Sequence, residues 1–138
     1  MLMAIYFEGR SMKRIITGLT LLMLLSSGTA NADWGDVYYC QMTNLNQITL
    51  EGEMKSYKLE KFQFKLDQTK NAMVFGNTPV FNGEVFKLTK DKNFPDQEFW
   101  YANSSFSITS FREGKFLYTS NMAGVRGIMS ISADCDKF

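Results

Sequence analysis

Few residues in this chain could do chemistry, and the missing types decide as much as those present. The 138-residue sequence contains no histidine. That removes Ser-His-Asp and Cys-His nucleophile pairs, imidazole general bases and most transition-metal sites. Gly124-Val125-Arg126-Gly127 lacks the lysine and helix of a phosphate-cradling loop. Asp96 with Glu98, and Asp134 with Asp136, are close enough in sequence to act as acid and base. At loop margins such carboxylates are ordinarily solvated charges. Asp91, Asn93, Asp96 and Glu98 offer oxygens to calcium, but not in EF-hand order, and Pro95 interrupts them. No catalytic residue, no metal and no cofactor is assigned. Cys40 and Cys135 are the two cysteines. They are too far apart in sequence for a redox-active C-x-x-C pair, so a structural disulfide is expected.

The aromatic residues are the richest remaining signal: Phe99, Trp100, Tyr101, Phe106, Phe111, Phe116 and Tyr118 fall close together. Most are expected to fill a core. The functional reading is a concave pocket, because small barrels enclose apolar ligands and pockets are lined by such side chains with a few polar groups. Trp100, Tyr101, Phe106 and Tyr118 are the candidate ligand-binding residues. In an extended strand Trp100 lies opposite Phe99 and Tyr101, so one strand face must carry an aromatic outside the core. An outward aromatic near Arg112 or Arg126 would instead mark a protein-binding surface.

The elements that position these residues read as short strands. Tyr38, Cys40 and Met42 share one face of a first strand, broken by Thr43 to Asn46, with a short second strand over 47–50. Tyr57 and Leu59 alternate in odd phase, then Phe62, Phe64 and Leu66 in even phase; a β-bulge at Glu60-Lys61 would reconcile them. Ala72 to Phe75 is a further strand. Asn82-Gly83 signals a hairpin between Val80-Phe81 and Glu84 to Leu88. Thr89 to Gln97 is the longest loop. The last third, Glu98 to Cys135, reads as an antiparallel meander, with turns at Asn103-Ser104, at Arg112 to Lys115 and at Asn121 to Gly124. Val125, Met129, Ile131, Ala133 and Cys135 share a face of the last strand, with Gly127 at the skipped place. The expected fold is all-β: a small antiparallel barrel or sandwich of eight or nine strands, closed by the Cys40–Cys135 bond. A bond between first and last strands favours the barrel.

Residues 1–32 are expected to be a signal peptide. A basic Lys13-Arg14 precedes an apolar run from Ile15 to Leu25, and Ala30-Asn31-Ala32 supplies a cleavage site. The run is about half of the roughly 20 apolar residues a spanning helix needs, so no transmembrane segment is expected after cleavage. Met12 is an alternative start. Residues 33–138 form a single domain of roughly 100 residues, enough for one modest core. Export to a bacterial periplasm or beyond supplies the oxidising conditions in which two thiols pair. The chain carries 15 basic and 14 acidic side chains, and no basic cluster suited to nucleic acid. The expected function is an exported, non-catalytic binding protein for a small apolar or aromatic ligand. The alternative is an envelope protein-interaction or structural subunit with an exposed aromatic face.

Overall fold

The computed structural model describes residues 31–89, 99–122 and 127–138. These form nine strands and no helix: β1 (Val37–Thr49), β2 (Met54–Ser56), β3 (Lys61–Asp67), β4 (Ala72–Phe75), β5 (Val85–Lys87), β6 (Trp100–Asn103), β7 (Ser107–Arg112), β8 (Lys115–Met122) and β9 (Gly127–Lys137). All pair antiparallel in one sheet, in the order β5-β4-β3-β1-β9-β8-β7-β6, with β2 added to the far half of β1. A single bridge, Leu88 to Ala102, brings the two ends of that order together. The Thr89 amide also donates to the Tyr101 carbonyl at 2.7 Å. The result is a nearly closed up-and-down barrel.

Alternation dictates what fills it. On β3, Phe62, Phe64 and Leu66 are buried while Lys61, Gln63 and Lys65 face out, as a half-buried strand requires. Tyr38, Cys40 and Met42 on β1, and Ile131, Ala133 and Cys135 on β9, do the same. Cys40 lies directly opposite Cys135, and the two form the expected disulfide across the first and last strands. The barrel axis is packed with rings: Phe64, Phe81, Phe111 and Phe116 are almost fully buried. Phe75 and Phe81 stack at 4.4 Å, and Phe62 meets Phe116 at 5.0 Å.

Several boundaries differ from the sequence reading. The first two expected strands are one, β1, which runs through Thr43 to Asn46. The register with β9 shifts between Met42 and Asn44. That bulge leaves Thr43 and Asn44 both exposed and returns Leu45 to the interior, so a polar pair that resembles a break is the extra residue of a bulge. No bulge occurs at Glu60-Lys61. β3 begins at Lys61, and Tyr57 and Leu59 are about half exposed between β2 and β3, where the Tyr57 amide still donates to the Leu45 carbonyl and the Glu60 carbonyl accepts from the Met42 amide. Val80 and Phe81 form a turn rather than a strand. Asn82 and Gly83 do adopt positive φ, at 34° and 72°. Phe106 sits on the bend between β6 and β7, and β8 continues through Asn121 and Met122. The hairpin at Glu113-Gly114 is as expected, with φ of 51° and 73° matching a two-residue turn of the primed type. Of the Thr89–Gln97 loop, all but Thr89 lies outside the described residues, as do Val125 and Arg126.

Candidate functional site

The antiparallel register gives the barrel two unlike ends. At one end lie the start of β1, the end of β7 and the start of β6. Trp100 is opposite Phe111 there, and Tyr38 packs on Phe111 at 4.6 Å. Trp34, on the lead-in to β1, closes edge-on against Trp100 at 4.8 Å. The Leu88–Ala102 bridge seals the seam at this same end.

Among the described residues the other end is less closed. There β1, β9, β8 and β7 line up Gln47, Met129, Ser120 and Ser107 as one inner row. Each of these is only partly buried. The β1–β3 ladder stops at Gln41-Lys61, so β1 rises past β3 and takes β2 as its partner instead. Tyr57, following β2, donates from its hydroxyl to Gln47 Oε1 at 2.5 Å. On the seam side, among the described residues, no ladder pairs join β5 to β6 beyond the single bridge.

Tyr118 lies one row inside this rim, opposite Ile131 on β9 and Thr109 on β7. Its ring stacks on Phe86 at 5.7 Å with 11° between planes. Phe81 stands edge-on beneath, 5.3 Å from Tyr118 and 6.1 Å from Phe86. Phe81 is held there by the 76–84 segment: its amide donates to Thr78 Oγ1 and its carbonyl accepts from Glu84 N. Burial pushes the Tyr118 phenol above its ordinary pKa, and the charge of Glu84 adds to the rise. Hydrogen bonds with Ser120 and Ser107 act the other way. Desolvation likewise raises the Glu84 carboxyl. The arrangement is an aromatic floor with a phenol and two serine hydroxyls around it, and with Glu84 exposed to solvent. Such a surface can hold an apolar group and orient it through a few polar contacts.

The four sequence-predicted residues do not share one surface. Tyr118 faces inward at the open end. Trp100 faces inward at the sealed end, half-buried, with its Nε1 buried and unpartnered among the described residues. Tyr101 points outward and stacks with Phe99 at 6.0 Å. Phe106 is 59% exposed on its bend. Sequence reasoning passed over Phe81, Phe86, Glu84, Ser107 and Ser120. One signal was available: Glu84, Phe86 and Leu88 alternate in a single phase after the Asn82-Gly83 turn. Phe81 gave none, because a buried ring on an irregular segment has no period.

The carboxylates are otherwise engaged or apart. Asp134 pairs with Lys115 at 2.5 Å on the outer face, and Asp36 with Lys137 at 2.8 Å. The possible calcium ligands, Asp91 to Glu98, lie outside the described residues. Among the described residues no cluster of three metal-ligating side chains occurs, and no helix is long and apolar enough to cross a membrane. Comparison with protein-family models, with curated proteins and with solved structures gives no match to this chain.

Proposed function

We propose that this chain is an exported, non-catalytic binding protein. It holds a small apolar or aromatic ligand on the inner face of the barrel's open end. The observation that carries this reading is the Phe86–Tyr118 stack: two half-buried rings on a buried aromatic floor, with serine hydroxyls beside them, at the end where the sheet is incomplete among the described residues. The barrel axis is filled with phenylalanine, so the ligand sits at the mouth rather than deep in the lumen. Tyr118 is the contact residue that sequence and geometry share. The basic, apolar and Ala-x-Ala segments support export, and the disulfide is compatible with an oxidising destination.

Native mass spectrometry of the exported protein, purified without denaturation, tests the reading. The expected result is a chain starting at Asp33, two hydrogens lighter than its reduced form, carrying a small molecule that denaturation releases. A bare chain that also takes up nothing from a panel of apolar aromatic compounds would overturn it.

A second reading, a protein-interaction subunit, has its own observation. The outer face of β1, β9, β8, β7 and β6 carries three successive cross-strand rows with no charged side chain. Ile48, Ile128, Ile108 and Leu117 are each about half exposed on it, beside Tyr101 and Phe106. Sedimentation of the purified protein separates the readings: a monomer at micromolar concentration favours the ligand, a defined oligomer favours the face.

A further inference from the structure

We propose that Asn82-Gly83 is a site of self-modification, in which the asparagine becomes aspartate or isoaspartate, and that the seating of Phe81 in the barrel controls its rate. The pair is the one Asn-Gly step in the 138-residue sequence. Asparagine before glycine is prone to cyclise, because glycine has no side chain to hinder close approach of its own amide nitrogen. The Gly83 nitrogen bonds to Asn82 Cγ, and the side-chain nitrogen leaves as ammonia with the proton that Gly83 gives up. Water then opens the cyclic imide. Cleavage at Cγ leaves aspartate. Cleavage at the main-chain carbonyl leaves isoaspartate, with one more methylene in the backbone. Asn82 and Gly83 are both exposed, so water reaches the step, and no other reactant is needed.

The turn holds this reaction back. Asn82 and Gly83 are the two central residues of a turn closed by the Glu84 amide, which donates to the Phe81 carbonyl at 2.7 Å. Both have positive φ, as a primed turn requires. The attacking group, the Gly83 amide, is itself donated to the Gly76 carbonyl at 3.0 Å, and the Asn82 amide to the Thr78 carbonyl at 2.7 Å. The Gly83 nitrogen must lose its proton and swing onto Cγ, so its bond and the turn open first. Phe81, one residue earlier, opposes that opening: it is 1% exposed and stacks on Phe75 at 4.4 Å. A protected backbone group reacts only as often as its segment opens locally. Aspartate fits the closed turn, since it tolerates positive φ as asparagine does. Isoaspartate does not. Its extra backbone atom, in a two-residue turn, displaces Phe81 from its seat 5.3 Å from Tyr118. An opening that reacts in this way disturbs the floor of the open end for good.

The test follows Asn82 in the oxidised, exported protein at mildly alkaline pH, by a mass gain of one unit and by peptide mapping that separates aspartate from isoaspartate. The reduced chain in guanidinium chloride is expected to convert at Asn82, and the folded protein at least tenfold more slowly. Phe81→Ala, or Phe81→Leu should the first not fold, is expected to raise the folded rate at least threefold. Phe106→Ala, the exposed control, is expected to stay within twofold of wild type. The isolated isoaspartate form is expected to melt below the unmodified protein. Equal rates in folded and unfolded wild type, no conversion in the unfolded chain, or a folded Phe81 variant no faster than wild type overturns the proposal. An isoaspartate form that melts with the unmodified protein overturns the claim that it unseats Phe81.

Discussion

Removing the ring of Phe81 should expose how much of this barrel depends on one residue outside its strands. Phe81 is 1% exposed. Its centroid lies 4.4 Å from Phe75, 4.9 Å from Phe62, 5.3 Å from Tyr118 and 5.8 Å from Phe116. A buried Phe removes on the order of 150–250 Å² from water. At about 25 cal/mol per Å² that is roughly 4–6 kcal/mol as an upper bound. Phe→Ala changes in cores cost about 3–5 kcal/mol. The 76–84 segment is irregular and can collapse partway into the void, so Phe81→Ala should cost about 3 kcal/mol. For a domain of this size that lowers Tm by roughly 12–18 °C. Phe106→Ala is the control: its ring is 59% exposed, and such surface changes stay within about 0.5 kcal/mol. Thermal unfolding followed by near-ultraviolet circular dichroism reads both. A Tm loss below about 4 °C for Phe81→Ala, or an equal loss for Phe106→Ala, would refute the claim that the turn carrying Phe81 plugs the barrel.

Three further outcomes are expected. Replacing Cys40 and Cys135 by Ala opens a bond with a sequence separation of 95; the chain-entropy model gives a loss of roughly 4–5 kcal/mol. Its measure is a large drop in the urea midpoint, and a midpoint matching the oxidised protein would sink it. Gly127 has φ of 151°, and a Cβ there would collide with the Ile48 carbonyl, so Gly127→Ala should destabilise by about 1–3 kcal/mol. An unshifted urea midpoint would contradict this. At Asp36, burial raises the carboxyl, but hydrogen bonds from Lys137, Asp33 and Tyr38 outweigh it and leave the pKa below its ordinary value. Its stabilising effect is present above the unfolded carboxylate pKa and is lost as pH falls through the lower folded one. Asp36→Asn should therefore flatten the fall of Tm on acidification below about pH 4; an unchanged acid limb would show that Asp36 contributes nothing to it.

Much of the barrel was legible because alternation and burial agree. Phe62, Phe64 and Leu66, or Met129 to Cys135, have one apolar face and one polar face, and only one register buries the right one. The disulfide was legible for a similar reason: two cysteines, each on the apolar phase of a terminal strand, in a sheet whose first and last strands meet. What was not legible depends on partners that sequence does not display. Thr43 and Asn44 look like a break because a bulge exposes two consecutive residues. Tyr57 and Leu59 alternate well, yet they lie between β2 and β3, joined to β1 only by isolated bonds such as Tyr57 N–H to the Leu45 carbonyl. The candidate site was half legible. Tyr118 lies in the same phase as the buried Phe116, which placed it inside. Tyr101 and Phe106 were grouped with it by proximity in sequence, but a period of two assigns faces without saying which is inner. The Trp100–Phe111 pairing settles that for β6, turning Trp100 in and Tyr101 out.

The central claim is that the inner face at the open end, and not the uncharged outer face, is the binding surface. Fluorescence titration of the oxidised protein with the neutral aromatic probe N-phenyl-1-naphthylamine tests it most directly. Tyr118→Ala and Leu117→Ala serve as neighbours in sequence that point in opposite directions. The account predicts saturable one-to-one binding to the wild type and to Leu117→Ala, and loss of binding in a folded Tyr118→Ala. No saturable binding by the wild type, or a loss that follows Leu117 rather than Tyr118, would contradict it.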